Sequence, residues 1–148
     1  MEEKRSIEVT LEQAIEWYNG SNATLKTLAL TAYTEDELIP DFNYIKSKVD
    51  IKNFNAIVPV NEETKYGTLT VLAIIAKYFN GIWVKTIYNA GYYIGNYNVS
   101  RNPVANAGNG IGVYKDNFMK YAGTVYFRNQ EDAIKAIKIL GDKVKYLF

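Results

Sequence analysis

The sequence contains neither cysteine nor histidine. Without cysteine there is no disulfide framework, no thiolate metal site and no cysteine nucleophile. Without histidine the chain lacks the commonest general base and the commonest metal ligand, and serine–histidine hydrolysis goes with them. Long apolar runs are missing as well. The longest, Leu69 to Ala76, is interrupted by Thr70 and spans less than half of the roughly 20 residues a membrane helix requires. A formal net charge of +1 argues against an electrostatic nucleic-acid binder as a whole. Paired carboxylates are also absent from the distinctive part of the chain. Asp116 stands alone there, and Glu12, Glu16, Glu35 and Glu37 fall on solvent-facing helix positions, so neither a two-carboxylate hydrolase nor an all-oxygen metal site is expected. These absences predict no catalytic residues, no metal and no cofactor.

What remains is 148 residues, 48% of them hydrophobic, which is enough for one domain with a true core. The single-domain expectation covers 1–148. The charged opening Met1-Glu-Glu-Lys-Arg-Ser leads into no apolar stretch of signal-peptide type, so a soluble protein without a membrane partner is expected. Charge is uneven along the chain: residues 1–74 carry a net −5 and residues 75–148 a net +6. A basic working face on the second half and two mutually attracting halves both fit that division.

The first half reads as helical. Thr10 and Gln13 form a capping-box pattern, followed by Leu11, Ala14, Ile15 and Tyr18 at helical spacing, with Gly20 as the stop. Asn22 can cap a second helix with Leu25, Leu28, Ala29 and Ala32 on its apolar face. Thr34-Glu-Asp-Glu37 is another capping box, opening a short turn that stops before Pro40. Residues 41–64 fit either period: Phe42, Ile45 and Val49 suit a helix, and Ala56-Ile-Val-Pro59 an extended chain. Leu69, Leu72, Ala73, Ile75, Ala76 and Phe79 then predict a nearly buried helix ending at Asn80-Gly81.

Beyond Gly81 the period changes to two, which predicts a strand over 82–89, a turn at Asn89-Ala-Gly91 and a second strand over 92–99. Ser100 to Gly110 reads as a loop, 111–115 and 124–128 as further strands. A final helix opens at Asn129, buries Ala133, Ile137 and Leu140, and closes at Gly141. The predicted class is α+β: N-terminal helices on a small antiparallel sheet of about four strands, with a C-terminal helix.

Residues 82–126 hold 7 of the 13 tyrosines, 6 of the 10 glycines and seven asparagines. Tyrosine offers a flat π-face with a hydroxyl, asparagine both donors and acceptors, and glycine close backbone approach. The mixture suits a flat or polyhydroxyl ligand, though a tyrosine-rich sheet packed under helices would read the same way. The candidate ligand-binding residues are Tyr92, Tyr93, Tyr97, Asn98, Arg101, Tyr114 and Arg128, with the two arginines near the ligand's charge. Gly108-Asn-Gly110-Ile-Gly112 lacks the spacing of a dinucleotide loop and is read as a flexible loop or bulge.

Three segments together carry a resemblance. Thr10-Leu-Glu-Gln-Ala-Ile-Glu-Trp-Tyr with Thr24–Leu38, then Leu69–Trp83 ending Asn80-Gly-Ile-Trp, then Val125-Tyr-Phe-Arg-Asn-Gln-Glu-Asp-Ala-Ile134 resemble uncharacterised proteins of gut Bacteroidota and their crAss-like phages. The middle departs: those relatives carry a Trp/Tyr-Pro-rich stretch where this chain has Tyr92-Tyr-Ile-Gly-Asn-Tyr97. The resemblance implies provenance, in the cytoplasm of a bacterial host cell, and no activity. The expected function is a non-enzymatic phage or mobile-element protein that holds a nucleotide-like small molecule and so sequesters a host immune signalling nucleotide. Two alternatives stay open, a module for single-stranded nucleic acid and a structural phage component that forms homo-oligomers.

Overall fold

Capping side chains set where the helices begin. Thr10 accepts from the Gln13 N–H at 3.2 Å and opens α1 (Leu11–Tyr18); Asn22 accepts from the Leu25 N–H at 3.1 Å and opens α2 (Ala23–Ala32). Asp41 accepts from the Tyr44 N–H at 2.7 Å to open α3 (Phe42–Lys48), and Thr64 from the Gly67 N–H at 3.0 Å to open α4 (Lys65–Asn80). The computed structural model describes residues 8–50, 63–96, 102–108 and 110–148. The chain falls into two units, Met1–Pro40 and Asp41–Phe148.

In the first unit α1 packs on α2 and buries Ala14, Ile15 and Tyr18 of the predicted stripe, while its fourth member, Leu11, stays exposed. α2 buries Ala29 alone, and Leu28 stays about half exposed. The Thr34–Glu37 box forms in both directions: the Thr34 N–H donates to Glu37 Oε1 at 3.1 Å and the Glu37 N–H to Thr34 Oγ1 at 3.3 Å. The hydrogen bonds from Thr34, backbone first, hold the Glu37 carboxyl below its usual pKa.

The second unit is α+β. Strands β1 (Gly91–Gly95), β2 (Ala105–Gly108) and β3 (Ile111–Asp116) form an antiparallel sheet in the order β1-β3-β2. β1 and β3 pair from Gly91 opposite Asp116 to Gly95 opposite Gly112. Helix α5 (Gln130–Leu140) follows, then a 3-10 helix (Gly141–Leu147) that tucks Val144 and Leu147 back into the core. α5 packs on the sheet, and α4 and the 3-10 helix pack on α5 and on each other, so that Ile94, Val113 and Phe127 share one core with Leu72, Ile75, Ala136 and Leu140. No helix among the described residues is long and apolar enough to cross a membrane.

Two strand expectations and one loop expectation are corrected. Residues 82–89 form no strand, because Asn89 satisfies the local backbone instead: the Thr86 N–H donates to Asn89 Oδ1 at 2.7 Å, and Asn89 Nδ2 donates to the Val84 carbonyl at 2.9 Å. The predicted loop over 100–110 contains β2, an edge strand whose pairing with β3 shifts register between Asn106 and Gly108. Gly108 (φ 85°) and Gly110 (φ 77°) supply the left-handed backbone that the tight connection to β3 needs. The predicted strand over 124–128 is reduced to a bridge, with two hydrogen bonds of 2.9 and 2.7 Å exchanged between Tyr92 and Phe127. The sheet therefore has three strands where about four were expected. Ala56–Pro59 and the end of the 92–99 strand lie outside the described residues.

Candidate functional site

Alternation along β1 and β3 puts Tyr93 and Tyr114 on one sheet face and Tyr92 on the other, against the helical core. Tyr93 and Tyr114 are directly opposed and stack with ring centroids 5.7 Å apart at 28°; Tyr126 meets Tyr93 edge-on at 5.9 Å and 77°. Trp83 packs against the three rings. Lys85 completes the cover. Its stem lies on the Gly91 backbone, where an added Cβ would come within 2.6 Å of Lys85 Cδ and 3.2 Å of the Trp83 ring, so this close approach requires glycine. The ammonium is only 5.5 Å from the Tyr126 ring centroid and donates to the carbonyls of Thr86 (2.5 Å), Asn89 (2.7 Å) and Asn117 (3.4 Å). The Tyr126 hydroxyl in turn donates to Asp116 Oδ2 at 2.8 Å and accepts from the Tyr121 N–H at 3.1 Å.

Burial raises the Tyr126 phenol above its ordinary pKa of 10.0; the Tyr121 N–H pulls the other way, and Asp116 adds to the rise. The folded state therefore binds this proton more tightly than the unfolded chain. Its contribution to stability is complete below the unfolded phenol value and is lost as pH climbs from there through the higher folded value. Urea midpoints measured across that alkaline range should fall, and Tyr126→Phe should flatten the fall; a profile identical in both proteins would sink the assignment.

The structure distributes the seven candidate residues widely. Tyr93 and Tyr114 are 6% and 3% exposed, so their faces are already taken by each other and by the chain's own cover. Tyr92 lies half-buried on the helical face, with Lys115 Nζ 5.8 Å from its ring centroid. Arg128 is exposed, and its backbone N–H donates to Asn80 Oδ1 at 2.9 Å. Next to it, Asn129 donates to Asp132 Oδ2 at 3.2 Å instead of capping α5, and burial raises the Asp132 carboxyl pKa against the pull of Lys135. Tyr97, Asn98 and Arg101 lie outside the described residues.

Open space lies at the other end of β1. One cleft of about 330 Å3 runs between β1 and 123–125 and is lined by Lys65, Leu69 and Leu72 of α4 and by the candidate residue Tyr93. A second, of about 410 Å3, lies between the β2–β3 turn and the 3-10 helix, lined by Gly108, Ile111, Asp142 and Lys145. Asn96 and Phe148 line both, so the two clefts adjoin. Arg128 lines neither.

No protein-family model, curated protein or solved structure matches the chain. The clefts therefore rest on their own geometry. Their key residues were hard to find by sequence: Asn96 sits in the flagged tyrosine- and asparagine-rich segment, but Lys65, Lys145 and Phe148 come from distant helices. Among the described residues no group of three or more acidic side chains is placed to hold a metal ion.

Proposed function

We propose that the Asp41–Phe148 unit is a non-enzymatic binding module for a nucleotide-like small molecule, seated in the adjoining clefts at the Asn96 end of β1. The observation that carries this reading is the junction itself. Two clefts within the size range of small-ligand sites share an aromatic ring and a carboxamide, and each has a lysine of its own. Phe148, half exposed, offers a stacking face to a base. Asn96 can donate to and accept from a base edge, and Lys65 or Lys145 can meet a phosphate. Asp142 on the second cleft opposes an anion there, which favours Lys65 for the phosphate. Holding a ligand without turning it over suits a chain that lacks cysteine and histidine. The resemblance to phage proteins supplies the use: sequestration of a host immune signalling nucleotide.

Native mass spectrometry of protein from cells with and without active nucleotide signalling tests this. A bound mass of a few hundred daltons that appears only with signalling is expected, and Lys65→Ala should weaken binding of that ligand by about tenfold. A bare chain in both preparations, with no calorimetric response to mono- or cyclic dinucleotides, would overturn it. Retention of single-stranded nucleic acid with steep salt dependence would install that alternative instead.

A further inference from the structure

The loops at the Gly91 end of the sheet present apolar side chains that the fold does not use. Ile82 is 96% exposed, Tyr88 85% and Phe118 76%, and Val84, Ile87 and Met119 are more than half exposed. They belong to two loops, 82–90 and 117–123, that leave the sheet side by side where Gly91 pairs with Asp116. Lys85 ties the loops together by donating to Asn89 and Asn117 at once, and the Tyr121 N–H to Tyr126 hydroxyl bond fixes the second loop from below. The tips are thus held by buried polar anchors beneath them.

Exposed charge along the two loops and the adjoining end of β3 has one sign. Lys115 and Lys120 are exposed, while the only acid between 81 and 123, Asp116, is buried and accepts from Tyr126. We infer that these two loops dock the protein on an anionic lipid surface, inserting Ile82, Tyr88 and Phe118 at the headgroup level while Lys115 and Lys120 meet lipid phosphates. Aromatic and aliphatic tips flanked by lysines match what an interface of that kind takes up, and apolar insertion plus a basic rim supplies the two signals that stable attachment needs. A second copy of the chain fits less well, because a two-fold contact through this surface would set lysine against lysine. The docking is peripheral and asks for no membrane-spanning helix. It departs from the sequence-level expectation of no membrane partner, and its tip and lysine residues line neither cleft.

Co-sedimentation with vesicles decides it. The full chain should pellet with phosphatidylcholine vesicles containing phosphatidylglycerol, and little with phosphatidylcholine alone. Ile82→Ser with Phe118→Ser should lower the partition coefficient by about tenfold or more, and so should Lys115→Glu with Lys120→Glu. All four positions are exposed, so an unchanged circular dichroism melt is expected of both variants. No pelleting with anionic vesicles, or pelleting that the Ile82/Phe118 variant retains, would overturn the inference. Concentration-dependent dimers in light scattering that this variant abolishes would overturn it in favour of self-association.

Discussion

Phe127→Ala should destabilise the Asp41–Phe148 unit by about 3–5 kcal/mol, a large share of the roughly 5–15 kcal/mol that holds a typical domain together. Phe127 is the largest fully buried side chain among the described residues. It belongs to the core cluster that joins Ile94 and Val113 of the sheet, Ala133 and Leu140 of α5, and Val144 and Leu147 of the 3-10 helix. Its backbone also exchanges both hydrogen bonds with Tyr92, so the ring is fixed on a segment that cannot easily move to fill the void. Truncation therefore loses transfer energy and leaves a cavity, and the two costs add. Urea denaturation should show the midpoint falling with its slope unchanged. Phe127→Leu should recover more than half of the loss, since it restores most of the volume. A cost below about 1 kcal/mol for the alanine variant would mean that the site collapses, contrary to this packing.

The helices were legible in the sequence because their boundaries are local. Thr10, Asn22 and the Thr34–Glu37 pair act within three residues of themselves, and a side chain that short finds its N–H whatever the rest of the fold does. Gly81 and Gly141, at φ 59° and 57°, end α4 and α5 where the sequence placed the stops. The sheet was less legible. Val84, Thr86 and Ile87 have strand propensity, but propensity without a neighbouring strand is outbid by the hydrogen bonds of Asn89. Conversely, Ala105–Gly108 has little strand propensity and becomes a strand because β3 lies one tight turn away.

The tyrosine cluster shows why composition pointed to the right region and to only part of its chemistry. Seven tyrosines in 82–126 marked a special surface, yet three of them turn inward and are closed over by Trp83 and Lys85. A lysine at position 85 of a β-branched run reads as a solvent-facing residue. Only the geometry shows it 3% exposed, with its charge spread over three carbonyls. The cleft residues were hidden for a different reason. Lys65, Asn96, Lys145 and Phe148 share no motif, and their proximity is a product of the chain's long-range topology.

Asn80→Ala should cost about 2–4 kcal/mol, nearly as much as a core truncation, although it removes only a carboxamide. Asn80 ends α4 and is buried; its Nδ2 donates to the Tyr126 carbonyl at 2.7 Å, and its Oδ1 accepts from the Arg128 N–H at 2.9 Å. One side chain thus takes the place of a neighbouring strand on the outer edge of 126–128, while Tyr92 serves the inner edge through Phe127. Alanine leaves a buried carbonyl and a partly buried N–H without partners, at about 1–3 kcal/mol for each group. Asn80→Asp separates the two bonds. The carboxylate still accepts from Arg128 but faces the Tyr126 carbonyl with no proton to give, whereas the neutral acid can make both bonds. The folded state of that variant therefore favours the protonated form, and its stability should recover as pH falls, while the alanine variant should not regain stability relative to the parent. Urea midpoints of the three proteins at neutral and acid pH test this. An aspartate variant that tracks alanine at every pH would show that the Tyr126 bond contributes nothing.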